Sequence, residues 1–486
     1  MPRRQRLTLL AAILGSGVAT LDGTIVNVAL PAIERDLGGG LTAQQWVVNA
    51  YLLALGSLIL IGGSLGDIYG VRRVFAVGVV AFGVFSLACA LAPTIGVLIA
   101  ARTFQGAAAA LLVPSSLAII IGAFSAQERG PAIGSWTAWS GIAAVIGPLA
   151  GGVIVDQASW RWVFALNVPL VVATVLLVLA AVPRTPTVAG RRVDVLGAVL
   201  CAAGLGGIVF ALIEQPRLGW SNPAILVPLV GGALALAGFF AYERRAAQPM
   251  LTLSLFARRN FSVGNVETLA MYAGLAILFF YLVIFLQQVA GYSALEAGLA
   301  TLPTTLIMFA LSSRFGALAD RYGPRLFMGA GPLIAAAGIL LLLRTGLDTS
   351  YVTDVLPAVL VFSLGLTMTV APLTATVLAD ADETDAGIAS AVNNAVARVA
   401  GLVGVPIAGV VAASVLVGDT FVADDASVDA FHRVVVICAA LLAAGGAVGA
   451  LGIANPRRVV EAKRCAGGQL VGVPEPAVDA SRAEPA

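Results

Sequence analysis

Charge is what this chain has least of: 11% of its 486 residues are Asp, Glu, Lys or Arg, where soluble domains carry about 25%. Histidine occurs once, at His432, and lysine once, at Lys463. The four cysteines, Cys89, Cys201, Cys438 and Cys465, fall nowhere in a CxxC spacing. Metal centres, thiol chemistry and Ser-His catalysis therefore have no material to work with. No glycine-rich nucleotide loop appears either, so neither an enzyme nor an ATP-driven pump is expected. No cofactor is expected. The few basic residues are scattered among short connections rather than massed on one face, which argues against a nucleic-acid partner.

What the chain does have is apolar length. Hydrophobic residues make up 59% of it, and the mean hydropathy is +0.97. Fourteen windows long enough to cross a bilayer, about 18 to 25 residues each, run from residues 7–30 to residues 434–453. They are expected to be helices, because lipid offers the backbone no hydrogen-bond partner and nothing alternates with the period of a barrel strand. The fold class is thus an all-α membrane protein with the lipid bilayer as its solvent. Met1 to Arg6 resembles the basic start of a signal peptide. The apolar run behind it lacks a clear cleavage site, however, and reads as a retained first helix.

With an inner N-terminus, twenty of the 28 Lys and Arg residues fall on inner segments and five on outer loops. The positive-inside bias then places both termini in the cytoplasm. Trp46, Trp160, Trp162 and Trp220 fall at outer helix ends, with Trp136 and Trp139 near an inner one, as an aromatic belt would. One lysine among so many arginines fits a GC-rich bacterial genome and hence a plasma membrane.

The sequence also repeats itself. Gly63-Ser64-Leu65-Gly66-Asp67-Ile68-Tyr69-Gly70-Val71-Arg72 recurs as Gly316-Ala317-Leu318-Ala319-Asp320-Arg321-Tyr322-Gly323-Pro324-Arg325. Pro114 pairs with Pro372 and Pro148 with Pro406 at a common offset. Parallel repeats of this kind belong to transporters whose site lies between the halves. The expected organisation is a six-helix bundle over 1–182, an inserted helix pair with linkers over 183–260, a second six-helix bundle over 261–454 and a disordered tail over 455–486. Helices 7 and 8 carry no ionisable residue at mid-span, which suits a peripheral pair.

Asp22 stands in the first span, where a charge costs about 2.5 to 3.5 kcal/mol and needs a partner or a watery cavity. Arg102 stands in the fourth and stays charged at any working pH. Glu267 is a second intramembrane acid, two turns into the ninth helix. Gly63 and Gly70 allow close approach and a tight turn. Asp67 can accept hydrogen bonds from a helix N-terminus facing it across the halves. Asp380, Asp382, Glu383 and Asp385 break the inner basic bias just before helix 13. Gly147 and Pro148 interrupt helix 5, and Gly141, Gly151 and Gly152 make a small-residue seam there.

These motifs, Leu21-Asp22 to Leu30-Pro31, the Asp67 loop, Arg102-Thr103-Phe104-Gln105-Gly106, Gly147-Pro148 and Trp160-Arg161-Trp162 with Asn167, stand in the order of a known family. Together they resemble the major facilitator superfamily, and within it the fourteen-helix drug:proton antiporters. The resemblance covers about residues 7 to 453. It departs at Ile68, where the family often has a base, although Arg321 keeps one in the repeat.

The resemblance implies two six-helix bundles plus two inserted helices, rocking between inward and outward states. It implies proton coupling at Asp22 with Arg102 and a cytoplasmic latch at Gly63, Asp67, Gly70, Arg72, Asp320, Arg321 and Arg325, while Glu267 joins the proton-coupling candidates, behind Asp22, as the second intramembrane acid. The helix 5 residues Gly141, Gly147, Pro148, Gly151 and Gly152 would flex, and Asn27, Gln105, Met271, Tyr272 and Arg398 would line the substrate pathway. The expected function is efflux of small amphipathic organic compounds, cationic or polyaromatic, in exchange for protons as the coupling ion. A monomer is expected. An exporter of one endogenous metabolite, or a non-transporting protein on the same scaffold, stays open as an alternative.

Overall fold

A computed structural model describes residues 1–183, 193–246, 249, 251–379 and 386–455. The acidic run before helix 13, Arg184, Arg191, Arg192 and the expected disordered tail beyond Asn455 lie outside the described residues.

Thirteen described helices are long and apolar enough to cross a membrane, and a bent pair makes a fourteenth. In chain order they are α1 Arg3–Leu37, α2 Gly40–Tyr69, α3 Val71–Ala90, α4 Ile95–Ala123, α5 Ala126–Gln157 and α6 Arg161–Ala181. The inserted pair is α7 Val195–Leu218 and α8 Pro223–Glu243. The second set is α9 Arg259–Val289, α10 Ala294–Tyr322, α11 Pro324–Arg344, α12 Tyr351–Ala379, α13 Ile388–Ala413 and α14 Asp425–Gly452. Several run well past the windows read from hydropathy. α1 spans 35 residues, because its polar ends continue the helix beyond the hydrocarbon.

The helix pairings repeat as the sequence does. α1 packs on α5 and α6, and α4 on α2 and α3. Correspondingly α9 packs on α13 and α14, and α12 on α10 and α11. Gly70 and Gly323 close the repeated turns at φ of 89° and 91°, a left-handed region where a Cβ is strained. Each turn's arginine then satisfies a free carbonyl at the end of its own bundle's last helix. Arg72 donates to the Leu179 carbonyl at 3.1 Å, and Arg325 to the Ala450 carbonyl at 2.5 Å, where the helix dipole also favours a cation.

Large apolar side chains remain exposed in stripes, such as Val77, Val80, Val84 and Leu87 on α3 and Val227, Val230 and Leu234 on α8. In water such stripes would be liabilities. In a bilayer they are the lipid-facing surface of a helix that is apolar all round.

The inserted pair is only half peripheral. Leu205, Val209 and Ile213 of α7 pack with Leu402 of α13 and against Trp46, Leu52 and Leu53 of α2. The Trp46 indole also donates to Glu214 of α7 at 2.9 Å. α7 thus covers the seam between the two bundles, whereas α8 rides on α7 through the close crossing of Gly204, Gly207 and Gly232. The aromatic belt is thinner than expected as well. Trp162 and Trp220 are exposed. Trp160 is buried and donates to Asp36 at 2.9 Å, and Trp136 turns inward to donate to Ser16 of α1 at 2.7 Å.

The tightest crossing brings α4 onto α2. A Cβ built on Gly106 would stand 2.3 Å from the Tyr51 carbonyl oxygen, whereas one on Gly17 would meet nothing within 4 Å. Gly106→Ala is expected to cost about 1–3 kcal/mol through overpacking and Gly17→Ala nearly nothing. Thermal unfolding of the two purified variants, compared with the native chain, reads the difference.

Candidate functional site

Asp22 sits on the inner face of α1 with no exposed surface, and Arg102 of α4 is 1% exposed. The two form an ion pair through Arg102 Nη1 and Asp22 Oδ2. Oδ1 accepts from the amides of Gln105 and Asn167, each at 2.9 Å. The Asn167 amide also donates to Ser86 at 2.8 Å, and the Ser86 hydroxyl donates in turn to the Phe164 carbonyl at 3.0 Å. Arg102 spends its other donors on Gln105 Oε1 at 2.7 Å and the Val47 carbonyl at 3.1 Å. Its guanidinium lies 4.3 Å from the centre of the Tyr51 ring, in cation–π range. Both charges are therefore paired and hydrogen-bonded, the condition on which a buried pair is tolerated.

This cluster joins three residues singled out from the sequence, Asp22, Arg102 and Gln105, to Asn167. Gln105 is fully buried inside it and does not line a pathway, which corrects the expectation. Ser86 and Tyr51 escaped the sequence reading. Their signal was slight: Ser86 is the one hydroxyl of α3, and Tyr51 is one of several polar residues along α2.

A cavity of about 410 Å³ opens beside the cluster between the bundles. Asn27, Tyr51 and Arg102 from one half and Tyr272, Phe279, Phe280 and Arg398 from the other line it. A smaller cavity of about 180 Å³ shares Thr24, Asn27 and Phe279 and reaches Pro148 of α5 and Thr301 of α10. Asn27, Tyr272 and Arg398 thus face the space between the halves. Met271 does not line either cavity and belongs to the apolar core.

Glu267 is not brought to Asp22. It is fully buried within the second bundle, its carboxyl over Gly449 of α14, 2.7 Å from where a Cβ would stand. Neither of its oxygens has a hydrogen-bond partner among the described residues. Thr268 and Asn265 nearby accept from Asn393 of α13, at 2.8 Å and 3.2 Å.

The end opposite the two termini, the outer one by the positive-inside reading, is shut. One apolar cluster there mixes Ile25, Leu30 and Ile33 of α1 with Phe280, Ile284 and Phe285 of α9. Towards the inner side the core divides into one cluster from the first half and another from the second. Polar contacts reinforce the outer closure. Gln45 donates to the Tyr281 hydroxyl at 3.0 Å, and Gln287 to the Val28 carbonyl at 3.0 Å.

Two carboxylates also cap helices of the opposite half. Asp156, ending α5, accepts from the N–H groups of Ala294 and Leu295 at 3.0 Å and 2.9 Å. Asp419, after α13, accepts from Thr42 N–H at 3.1 Å. Since α13 repeats α5 and α2 repeats α10, the two caps are mates across the pseudo-twofold.

Glycine makes this approach possible. A Cβ on Gly152 would stand 2.5 Å from the Leu295 backbone, and one on Gly298 2.7 Å from the Pro148 carbonyl. Gly147 and Gly151 instead press on Thr24 and Ile25 of α1, and Gly141 meets nothing within 4 Å. The two halves thus share one core at the end away from the termini and keep separate cores at the other.

Of the inner latch residues, Asp67 lies in the last turn of α2, one turn before Gly70. Asp320 and Arg321 hold the matching place in α10, with Arg321 5.3 Å from the Tyr322 ring centre.

Two outcomes are expected. Arg102→Gln alone leaves a buried carboxylate without its cation and costs about 3–5 kcal/mol, whereas Asp22→Asn with Arg102→Gln recovers most of that. Thermal unfolding of the singles and the double gives the coupling, and additive losses would count against it. Removing the outer caps with Asp156→Ala and Asp419→Ala deletes hydrogen bonds to charged groups worth about 1.5–3 kcal/mol each. The outward-open population then rises at least about tenfold, read as lengthening between spin labels at Leu91 and Val417.

The same label pair reads a pH effect. Burial pushes the Asp419 carboxyl above the usual carboxylate range, against the pull of its Thr42 hydrogen bonds. The closed state therefore holds that proton more tightly than an open state in which the group meets water. Acidifying the outside favours closure, and Asp419→Asn flattens the response.

The sequence profile described as Major Facilitator Superfamily matches residues 12–405. The puromycin resistance protein pur8 of Streptomyces alboniger is 39% identical, covering 80% of this chain and 78% of its own. The multidrug resistance protein Stp of Mycobacterium tuberculosis is 34% identical over 85% and 77%. The tetracenomycin C resistance and export protein of Streptomyces glaucescens matches at the same identity and coverage. Among solved structures, an inward-facing, unoccupied bacterial homologue of the human lysosomal transporter Spinster superposes with a TM-score of 0.66 at 15% identity, covering 93% of this chain and 97% of that one. A D-xylose-proton symporter gives 0.60 at 16%, covering 90% and 96%. Two bundles of parallel repeat are what these relatives would lead one to find: the chain belongs to the Major Facilitator Superfamily, a family of membrane transporters.

Proposed function

We propose that this protein exports small amphipathic organic compounds across the bacterial plasma membrane in exchange for protons. Both termini lie in the cytoplasm, the carrier acts as a monomer, and it uses no cofactor beyond the proton and no nucleic acid. The observation that carries the reading is the Asp22–Arg102 pair at the wall of a cavity between two repeated bundles. Relatives named for resistance to puromycin and for resistance to and export of tetracenomycin C support export as the direction.

The chemistry follows from the hydrogen bonds. In the inward-facing state Asp22 is ionised and fully engaged, so Arg102 is neutralised. Protonating Asp22 from the outside removes the charge that holds the guanidinium, and Arg102 then faces the cavity uncompensated. The packing of α1 on α4 thus depends on one proton. Glu267 is the second acid of the cycle, because both its oxygens are free of partners within the bilayer. The outer caps hold the inward-facing state, and the Asp67 and Asp320 turns hold the outward-facing one.

Proton movement tests this. Energised inverted vesicles carrying the native chain should release protons when an amphipathic drug is added. Asp22→Asn should abolish the release while drug binding persists. Glu267→Gln should reduce it. Normal proton-coupled transport by Asp22→Asn would end the assignment of that acid.

A further inference from the structure

The central cavity carries a charge that nothing among the described residues answers. Arg398, midway along α13, lines it with no ion pair or hydrogen bond among the described residues, and its Nε is buried without an acceptor. The acids on the helices around it are all engaged elsewhere or distant. Asp22 is saturated by Arg102, Gln105 and Asn167. Glu214 of α7 binds Trp46 and Arg217 at the outer end. Asp67 lies in the last turn of α2, at its inner end. Glu267 of α9 turns away to Gly449 of α14. A Cβ built on Gly56 of α2 would stand 4.0 Å from Arg398 Cβ, and the neighbouring cavity wall is Tyr51, Tyr272 and Leu275. On the opposite wall the Asn27 Oδ1 is likewise buried without a donor.

An intramembrane cation without a partner is costly to keep and marks a substrate path. Among the lining residues the ionisable groups are two arginines and two tyrosines. The wall offers a cationic substrate no reachable carboxylate.

We infer that the substrates are amphipathic weak acids bearing a hydroxyl group. The anionic or acceptor oxygen binds Arg398, the hydroxyl donates to Asn27, and the ring system lies against Tyr272, Phe279 and Phe280. A guanidinium fork suits a carboxylate, since two parallel N–H donors match its two oxygens. This rests on the export reading, with a coupling consequence. Proton entry and anion exit both carry positive charge inward, so exchange is enforced by which loaded states can turn over rather than by charge competition for one site.

Binding and transport separate the two readings. The full-length protein in detergent is titrated with 6-hydroxy-2-naphthoate, its carboxamide and a naphthylmethyl-trimethylammonium ion, followed by probe fluorescence. The acid should bind at least about tenfold more tightly than the amide or the cation, the worth of a hydrogen bond to a charged group. Arg398→Gln should erase that preference, Arg398→Lys keep part of it and Arg398→Glu turn it towards the cation. Equal binding of all three probes, or a cation preference in the native chain, overturns the inference whatever the transport result. Should the acid bind in an Arg398-dependent way yet not cross proteoliposome membranes, the anion site stands and the export reading falls.

Discussion

A carboxylate and a guanidinium facing each other inside the bilayer set the terms for the first bundle. Neither charge could stay there alone. Asp22 on α1 and Arg102 on α4 neutralise each other, and their remaining valences recruit Gln105 from α4, Ser86 from α3 and Asn167 from α6. Four helices are thereby fixed in rotation about their axes by hydrogen bonds rather than by apolar contact. Apolar packing cannot do this unaided, since lipid tails solvate a leucine as well as a neighbouring helix does.

That asymmetry decides what was legible in the sequence. Asp22, Arg102 and the repeated glycine-aspartate turns stood out because charge and positive-φ glycine are expensive in apolar helices and persist only where something requires them. The fourteen spans and the pseudo-twofold were legible for the same reason. Met271 and Trp136 were misplaced because an apolar residue reads alike whether it faces lipid, core or cavity. The role of α7 was lost that way too, its span being apolar on every side, so only the structure shows that one stripe covers the seam. Asp156 and Asp419 were legible in principle, as acids near the outer ends of the repeat mates α5 and α13. Their partners, however, are backbone N–H groups, and backbone donors leave no mark in a sequence.

The second bundle is built from the same repeat but not around the same charge. Its acid, Glu267, lies closer to the start of its helix than Asp22 does in α1, and it packs on glycine rather than on arginine. Its cation, Arg398, lies on α13 and faces the cavity. One half therefore closes a charge pair on itself, while in the other the acid and the base are not paired among the described residues. Such a division places a neutral, proton-sensitive element on one side of the cavity and a fixed positive charge on the other.

Under the proposed proton coupling this division bears on how the membrane potential acts. The Asp22–Arg102 pair moves as a dipole of no net charge, so the field has little hold on that element while it is unprotonated. Once Asp22 takes a proton, the same element carries a full positive charge, and a potential negative inside contributes about 2.3 kcal/mol per 100 mV for complete traversal. The protonated carrier is thus drawn towards the state that opens inward. That is the closed-outside arrangement which Asp156 and Asp419 hold by capping α10 and α2. Field and caps then favour the same end state, and turning outward must be driven by what binds in the cavity from within.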